Sequence, residues 1–301
     1  MSYVSFGAGT QSTALAFLVI NRDERLRERA RLGPDDSPHW PDIFLFADTG
    51  DEPRAVYRHT WEMAKLFDYH DIEFRIVRGE ERSLSDHVIE KADDGEGGIS
   101  TPPLFVGGTD KRGRHTGIPI RRSCTADFKA RPLDREAKRY WTERLGHDDF
   151  SVVQWLGISS DEKRRMRESG ELWRFYRYPL IEMGWTRWHC QQYLQGQTYL
   201  DGSPVEIVRS SCVYCPFHSK EEWRHIRDSD SDDWARAKAF QDEIYSIYER
   251  DDGFAGVKKK PHINRWAKPI EELDLSDDDD QLDMWDEYAF QGVGCVGHCG
   301  V

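Results

Sequence analysis

The sequence lacks a hydrophobic run that could cross a membrane. No apolar stretch approaches the roughly 20 residues that a membrane-spanning helix requires. The N-terminus has neither the basic segment nor the long apolar segment of a signal peptide. We therefore expect a soluble, cytoplasmic protein without a membrane partner.

The chain also has little hydrophobic content and no excess of positive charge. Hydrophobic residues make up 38% of the 301 residues, and charged residues make up 32%. The net charge of −13 argues against non-specific nucleic-acid binding by the whole surface, but it is compatible with a local basic groove. The length permits one enlarged domain, or one domain with an appendage.

Cysteine is scarce, with six residues in the whole chain. In a cytosolic enzyme of this size, we expect metal binding or redox catalysis from these thiols rather than structural disulfides. The cysteines are Cys124, Cys190, Cys212, Cys215, Cys295 and Cys299.

Strand and helix patterns alternate in the first 80 residues. Short apolar runs predict strands at 3–6, 43–47 and 73–77, separated by helices at 12–21 and 53–67. This order predicts an α/β fold with a doubly wound, mostly parallel sheet. Later patterns predict helices at 84–91, 130–145, 186–194 and 220–250, a strand at 152–158, and long loops over most of 79–120.

We predict two parts in this chain. Residues 1–220 form a nucleotide-binding α/β domain, and residues 221–301 form a helical extension that ends in a flexible, cysteine-containing tail. Loops as long as those predicted within 79–120 are usually functional or mobile in compact domains.

A glycine-rich segment, residues 5–13, follows the first predicted strand and opens the first helix. Glycines let the backbone approach phosphate oxygens, and the helix N-terminus offers free N–H groups and a positive dipole end. No Gly-Lys-Ser/Thr follows, so the segment is not a Walker A loop. The alternative is an ordinary strand-to-helix turn. The predicted nucleotide-binding residues are Ser5, Phe6, Gly7, Gly9, Gln11, Ser12 and Thr13.

Charged residues after two other predicted strands extend this site. Asp48 lies at the carboxyl end of a strand, where it can bind a ribose hydroxyl or Mg²⁺, and we assign it nucleotide-binding and catalytic roles. The alternative is that Asp48 caps the next helix. Arg164 and Arg165 offer bidentate contacts to phosphate or sulfate, unless they form a solvated helix face.

Positive charge is concentrated in residues 111–140, which contain ten Lys or Arg and three Asp or Glu. Such a segment can bind phosphates, sulfate or a nucleic-acid backbone. Positively charged neighbours also favour the thiolate form of Cys124, which ligates metals or attacks sulfur. The alternative is a charged helix surface. The predicted anion-binding residues that flank Cys124 are Arg121, Arg122, Lys129 and Arg131.

Four segments resemble the motifs of one enzyme superfamily, in the same order. Residues 5–12 resemble the PP-loop, Ser-Gly-Gly-x-Asp-Ser, of the adenine nucleotide alpha-hydrolase-like superfamily, with Phe6 and Gln11 replacing two motif residues. Residues 46–52 are similar to its Asp-Thr-Gly motif, and residues 157–165 to its Gly-Ile-x-x-Asp-Glu-x-x-Arg segment. Residues 123–133 resemble the Cys…Lys-x-x-Pro-Leu segment of sulfonucleotide reductases.

These motifs are similar to those of the phosphoadenosine phosphosulfate reductase-like family. The resemblance implies an enzyme that binds ATP, or another adenine nucleotide, with Mg²⁺. It also implies that Gly157, which begins the third motif, belongs to the nucleotide site.

Cys212 and Cys215 form a Cys-x-x-Cys pair, a spacing that lets two thiols bind one metal centre. Adenylylsulfate reductases with a 4Fe–4S cluster have a similar layout, which implies Cys124 as a ligand. Those enzymes have a second cysteine where this chain has Ser123, so we expect Cys190 to replace it. The alternatives are a structural Zn²⁺ site, a cluster with one open iron and Cys190 in the core, or no metal.

Cys295 and Cys299 lie in a glycine-rich C-terminal tail. We predict a catalytic role for them as a swinging thiol arm. The alternatives are that they ligate a metal or that the end is frayed.

Three functions are compatible with these features. The first is ATP-dependent adenylation and sulfur transfer, with a nucleic acid as a candidate acceptor and a separate sulfur or electron donor protein. The second is a sulfonucleotide reductase that acts through Cys299. The third is a non-catalytic module that binds zinc or a nucleotide.

Overall fold

The computed structural model describes residues 1–29, 40–79, 82–93, 102, 104–109, 113, 115–120, 123–251, 253–254 and 256–276. The strands are β1 (Ser2–Ser5), β2 (Ile43–Asp48), β3 (Glu73–Arg78), β4 (Phe105–Thr109), β5 (His115–Pro119), β6 (Val152–Leu156), β7 (Arg174–Arg177) and β8 (Pro261–His262). The α-helices are α1 (Thr10–Ile20), α2 (Glu24–Arg29), α3 (Arg54–Tyr69), α4 (Leu84–Asp93), α5 (Arg131–Leu145), α6 (Pro179–Glu182), α7 (Arg187–Leu194), α8 (Lys220–Ser229) and α9 (Ser231–Asp251). A π-helical turn at Thr125–Ala130 and a 3₁₀ turn at Ser160–Arg165 complete the part that surrounds the candidate site.

Among the described residues, the main sheet has the strand order β3-β2-β1-β6-β7, and all neighbouring strands are parallel. Every residue of β1 and β2 is buried, as expected for apolar strands that are covered on both faces. The predicted α/β fold with a mostly parallel sheet is therefore confirmed.

The side chains of β1 and β2 alternate between two hydrophobic clusters. Val4 and Phe44 belong to the cluster that includes α1 and α3, whereas Tyr3 and Leu45 belong to the cluster that includes α5. Because successive side chains of a strand point to opposite faces, helices cover both faces of the sheet. Because both faces are covered, a ligand can approach the sheet at the carboxyl ends of β1 and β2.

The region 79–120, which we predicted to be mostly loops with one helix, also contains two strands of a small antiparallel sheet that the prediction missed. Strands β5, β4 and β8 pair in this order. The glycines of β4 and β5 interrupt the alternation of apolar and polar side chains that marks a strand in a sequence. One of them, Gly117, is needed for a close backbone contact. A Cβ at Gly117 would lie 2.4 Å from the carbonyl oxygen of Arg265. Strand β7 was also missed, because it is short and rich in arginine.

The C-terminal helices share their core with earlier parts of the chain. Trp223 of α8 and Ile244 of α9 belong to the same hydrophobic cluster as Val88 of α4, Phe128 and Tyr214. The predicted helices of the extension are therefore present, and they pack on the segment that carries Cys212. In the part of the chain that the structure describes, no helix is both long and apolar enough to span a membrane.

The aromatic centre of the first cluster provides a test of the packing. Phe44 is fully buried, and its ring centroid lies 4.5 Å from that of Phe67. We expect Phe44→Ala to lower the free energy of unfolding by about 3–5 kcal/mol, because it leaves a cavity. Chemical denaturation measures this change. The matched variant Trp61→Ala removes a side chain that is 61% exposed, so it should change stability by only about 0.5 kcal/mol. Equal losses in the two variants would contradict the packing described here.

Candidate nucleotide and thiol site

The glycine-rich segment forms a tight turn between β1 and α1. Gly9 caps the helix, and the Ser12 hydroxyl both accepts a hydrogen bond from the Gly9 N–H and donates one to the Gly9 carbonyl, each at 3.1 Å. The left-handed backbone conformation falls on Ala8, with a φ of 56°, and not on a glycine. Such a conformation is unfavourable for a residue with a Cβ and is typical of functional loops.

Gln11 connects this turn to the segment after β6. Its amide nitrogen donates to Glu162 Oε2 at 3.1 Å and to Ser159 Oγ at 3.4 Å. Gly157 allows the two segments to meet, because a Cβ there would lie 2.9 Å from the backbone of Ser12. The structure therefore brings the predicted residues Gly157, Gln11 and Ser12 together.

Thr13 is held by a buried histidine. His59 Nε2 lies 2.8 Å from Thr13 Oγ1, and His59 Nδ1 lies 2.6 Å from the Tyr199 hydroxyl. The Tyr199 oxygen accepts the N–H of Glu206 at 3.1 Å, so its proton is available to His59 Nδ1. Thr13 is thus engaged within the protein. The hydroxyl of Thr10, by contrast, is buried at the first position of α1 without a hydrogen-bond partner among the described residues.

Asp48 lies at the end of β2 as predicted, but its carboxylate is already occupied by protein groups. Oδ1 accepts hydrogen bonds from the Tyr57 hydroxyl and from the Gly50 N–H, both at 2.8 Å. Oδ2 pairs with Arg78 Nε at 2.7 Å. Burial, followed by the hydrogen bond to Asp48, raises the pKa of Tyr57. These contacts give Asp48 a well-defined structural role at the sheet edge.

A pocket lies between the ends of β1 and β2, the π-helical turn and the segment before Cys212. Its cavity volume is about 10 Å³, roughly the space of one water molecule, so the pocket is a narrow cleft in this structure and not a cavity of the size of a small-molecule site. Ser210 contributes a buried hydroxyl that has no hydrogen-bond partner among the described residues. The pocket is lined by Ser5, Phe6, Gly7, Phe46, Ala47, Lys129, Leu133 and Ser210.

Lys129 connects this pocket to the thiols. Its Nζ lies 3.0 Å from Glu52 Oε1, and both side chains are almost completely buried. Burial alone lowers the pKa of Lys129, but Glu52, Cys212 and Cys124 outweigh it, so the pKa is raised overall. Lys129 therefore carries its positive charge at the wall of the pocket.

Three of the predicted metal ligands lie in this region. Cys124 and Cys212 are close enough to Lys129 to raise its pKa, and Cys215 is close enough to Cys212 to raise the pKa of that thiol. Burial, followed by the negative charge of Glu52, raises the pKa of Cys212. Thr49 Oγ1 lies 3.5 Å from Cys212 Sγ, which joins the end of β2 to the Cys-x-x-Cys segment.

Cys190 lies elsewhere. It is fully buried in the cluster around α1, whereas Cys124 and Cys212 pack against the cluster around α8 and α9. Burial, followed by the nearby Asp161, raises the pKa of Cys190 to about 12. The structure therefore does not group Cys190 with the two cysteines that pack on the second cluster. Among the described residues, no three His, Cys, Asp or Glu side chains stand in the arrangement of a metal site.

The predicted anion-binding arginines have different environments. Arg131 contacts Asp127, and Arg165 Nη1 donates to Glu162 Oε1 at 2.7 Å. Arg164 is exposed. Four predicted site residues lie outside the described residues: Arg121, Arg122, Cys295 and Cys299.

Sequence reasoning missed several residues of the site. Glu52 lies close to Asp48 in the sequence and Ser210 lies just before the Cys-x-x-Cys pair, but no role was predicted for either residue. No motif marked Arg209, which contacts Glu222, or Arg265, which donates to the carbonyl of Phe217. The adjacent Ser-Ser-Cys sequence was the one local signal available for this region.

Comparisons with known proteins do not identify this chain. No family model, no curated protein and no solved structure matches it significantly.

The buried His59 predicts a specific dependence of stability on pH. Burial lowers the pKa of His59 to about 4, below the ordinary value of about 6.5. The unfolded chain therefore binds the proton first, and the stability present above pH 6.5 is lost as the pH falls towards 4. This histidine accounts for a loss of about 3 kcal/mol over that interval.

We expect the unfolding free energy of His59→Gln to change less between pH 6.5 and 4 than that of the wild type. Urea denaturation at several pH values measures this difference. His70→Gln, which changes an exposed histidine, is the control and should follow the wild type. A wild-type pH dependence in His59→Gln would show that His59 is not held neutral.

Proposed function

We propose that this chain is a PP-loop adenine-nucleotide-binding enzyme that adenylates an acceptor and then transfers sulfur to it. The observation that carries the proposal is the position of Lys129. Its side chain lines the pocket at Ser5–Gly7, and its charge interacts with Cys124 and Cys212. A nucleotide site and a thiol site therefore share one buried cation.

Groups at the pocket and at the helix next to it suit the phosphate end of a nucleotide. Ser5 and Gly7 line the pocket, and the turn that they begin leads to the N-terminus of α1, where the Thr10 hydroxyl is buried without a partner among the described residues. Lys129, which pairs with Glu52, places a positive charge at the pocket, where it can attract a phosphate. Ser210 adds a further hydroxyl to the lining.

The proposed reaction has two balanced steps. An acceptor oxygen attacks the α-phosphorus of ATP, and the bond to pyrophosphate breaks, which gives an adenylated acceptor. A sulfur nucleophile from the donor protein then displaces AMP, so that a carbon–sulfur or phosphorus–sulfur bond replaces the bond to oxygen. Lys129 and the helix N-terminus stabilise negative charge on the phosphates during the first step.

Cys124, Cys212 and Cys215 match the ligand type and number of an iron–sulfur cluster that keeps one iron open, but the structure does not hold the three side chains in the arrangement of a metal site. The charge of Lys129 lowers the pKa of Cys212, but burial and the charge of Glu52 outweigh it, so a bound metal would have to supply the charge that keeps this ligand deprotonated. A cluster bound there would supply a site for sulfide. Cys190 is left out of this ligand set because its side chain belongs to another part of the core.

The role of Lys129 is tested with a double variant. Lys129→Met alone would leave Glu52 buried and unpaired, at a cost of about 3–5 kcal/mol, so we combine it with Glu52→Gln. We expect the double variant to fold but to bind ATP roughly tenfold or more weakly, because a charged contact to phosphate is lost. Calorimetry with ATP and Mg²⁺, and release of pyrophosphate, measure the effect.

Lys65→Met is the matched control, since Lys65 is exposed and pairs with Glu62 on α3. It should bind ATP like the wild type. Unchanged ATP binding in the folded double variant would contradict the role of Lys129. Sulfite release from a sulfonucleotide, without pyrophosphate release from ATP, would favour a reductase instead.

The ligand set is tested by metal content after anaerobic purification. We expect Cys124→Ser, Cys212→Ser and Cys215→Ser each to lose iron and the visible absorption of a cluster, because each removes a thiolate ligand. Cys190→Ala should retain both. Loss of iron from a folded Cys190→Ala protein would contradict the three-cysteine set, and zinc in place of iron would favour a structural site.

A further inference from the structure

A glutamine lies in an inner strand of the main sheet, where apolar side chains are the rule. Gln154 belongs to β6, which pairs with β1 on one side and with β7 on the other. Parallel strands that are covered on both faces are normally apolar, and the neighbours Val153 and Trp155 follow this rule. The side chain of Gln154 is nevertheless completely buried, so its amide needs hydrogen-bond partners within the protein.

Gln154 faces the same side of the sheet as the candidate pocket. Val152, two residues earlier in β6, belongs to the hydrophobic cluster that includes α5, as does Tyr3 of β1. Because side chains two residues apart in a strand share a face, Gln154 and Ser5 also point towards α5. Leu133 of α5 and Ser5 both line the pocket. The glutamine therefore lies beneath the pocket, on the α5 face of the sheet.

One hydrogen bond joins Gln154 to a residue that lines the pocket. Gln154 Nε2 donates to Ser5 Oγ at 2.5 Å, and both residues are buried. The backbone of Ser5 is fixed by the pairing of β1 with β2 and with β6. The Ser5 oxygen thus serves as an acceptor, and the structure shows no acceptor for its hydroxyl proton among the described residues.

The other end of the Gln154 amide argues against a purely structural role. Its Oε1 is buried and has no hydrogen-bond partner in the part of the chain that the structure describes. A buried carbonyl oxygen without a partner destabilises the folded state, whereas apolar groups of the same shape can replace a pair of hydrogen-bonding groups with little loss. An apolar side chain would therefore suit the stability of β6 at least as well as Gln154.

We propose that Gln154 is a positioning residue for nucleotide binding, which holds the Ser5 hydroxyl so that its proton is donated to a phosphate oxygen of the nucleotide. This inference rests on the proposed function, because the phosphate approaches the pocket that Ser5 and Lys129 line. The pocket volume of about 10 Å³ leaves room for one oxygen-sized group. A donor that is already oriented binds a ligand more tightly than a rotating one, because less freedom is lost on binding.

The experiment is a double-mutant cycle on the full-length chain. The variants are Ser5→Ala, Gln154→Met and the double variant that combines them. Methionine is unbranched like glutamine and lacks the amide groups. The matched control is Gln192→Met on α7, since Gln192 is exposed. Calorimetry with ATP and Mg²⁺ measures affinity, and chemical denaturation without nucleotide measures stability.

We expect Ser5→Ala to weaken ATP binding about tenfold, because a hydrogen bond to a charged phosphate is lost. Gln154→Met should weaken it about threefold, because the hydroxyl remains but is free to occupy three staggered positions. The double variant should bind ATP as Ser5→Ala does, because Gln154 acts only through Ser5. The denaturation midpoint of Gln154→Met should stay close to that of the wild type, and Gln192→Met should match the wild type in both measurements.

Wild-type ATP affinity in a folded Gln154→Met protein would overturn the positioning role. A further loss of affinity when Gln154→Met is added to Ser5→Ala would also overturn it, because the glutamine would then act on the sheet and not through the hydroxyl. If Gln154→Met does not fold, Gln154→Leu takes its place in the same cycle.

Gln154→Glu reverses the polarity of the contact. Its carboxylate accepts a hydrogen bond and does not donate one, so it would take the Ser5 proton that the phosphate needs. We expect a folded Gln154→Glu protein to bind ATP more weakly than Gln154→Met, and wild-type affinity there would contradict the proposed orientation. A wild-type chain that binds no ATP would overturn the proposed function together with this role, whereas ATP binding that is insensitive to position 154 would overturn this role alone.

Discussion

The ion pair between Lys129 and Glu52 is the interaction on which the rest of the candidate site depends. Both side chains are almost fully withdrawn from water, and a buried charge is tolerated only when a partner compensates it. The pair therefore fixes the π-helical turn against the end of β2. Replacing such a pair by apolar side chains is often neutral for stability, and the proposed function gives the pair a role, because it places a cation at the pocket wall.

Residues 49–52 extend this constraint to the cysteines. Thr49 contacts Cys212, and the Asp51 carboxylate accepts a hydrogen bond from the Tyr214 hydroxyl at 2.5 Å. The Asp51 carbonyl also accepts the N–H of Val213 at 2.9 Å. Because β2 lies between β1 and β3 in the sheet, these contacts attach the Cys-x-x-Cys segment to a rigid element. The thiols are consequently held near the glycine-rich turn, although about 200 residues separate them in sequence.

Gln11 of the glycine-rich turn has a charged neighbour. Gln11 donates to Glu162, whose other oxygen pairs with Arg165. An aspartate at position 11 would face the Glu162 carboxylate, and two adjacent carboxylates repel each other unless one takes up a proton. The amide of Gln11 instead links the turn to the segment after β6.

Local pattern alone determined the α/β class, the strands β1, β2, β3 and β6, and the larger helices, because burial on both faces leaves continuous apolar runs in the sequence. It also located the turn at 5–13 and the pair Cys212 and Cys215. Only the tertiary structure decided that Cys190 belongs to a different hydrophobic cluster from Cys124 and Cys212. It also decided that the Asp48 carboxylate binds protein groups, namely Tyr57, Gly50 and Arg78. It also decided that Glu52 meets Lys129 and that Glu222 meets Arg209. Such contacts join residues that are far apart in the chain, and the spacing of residues along a sequence carries no information about which distant charges will meet.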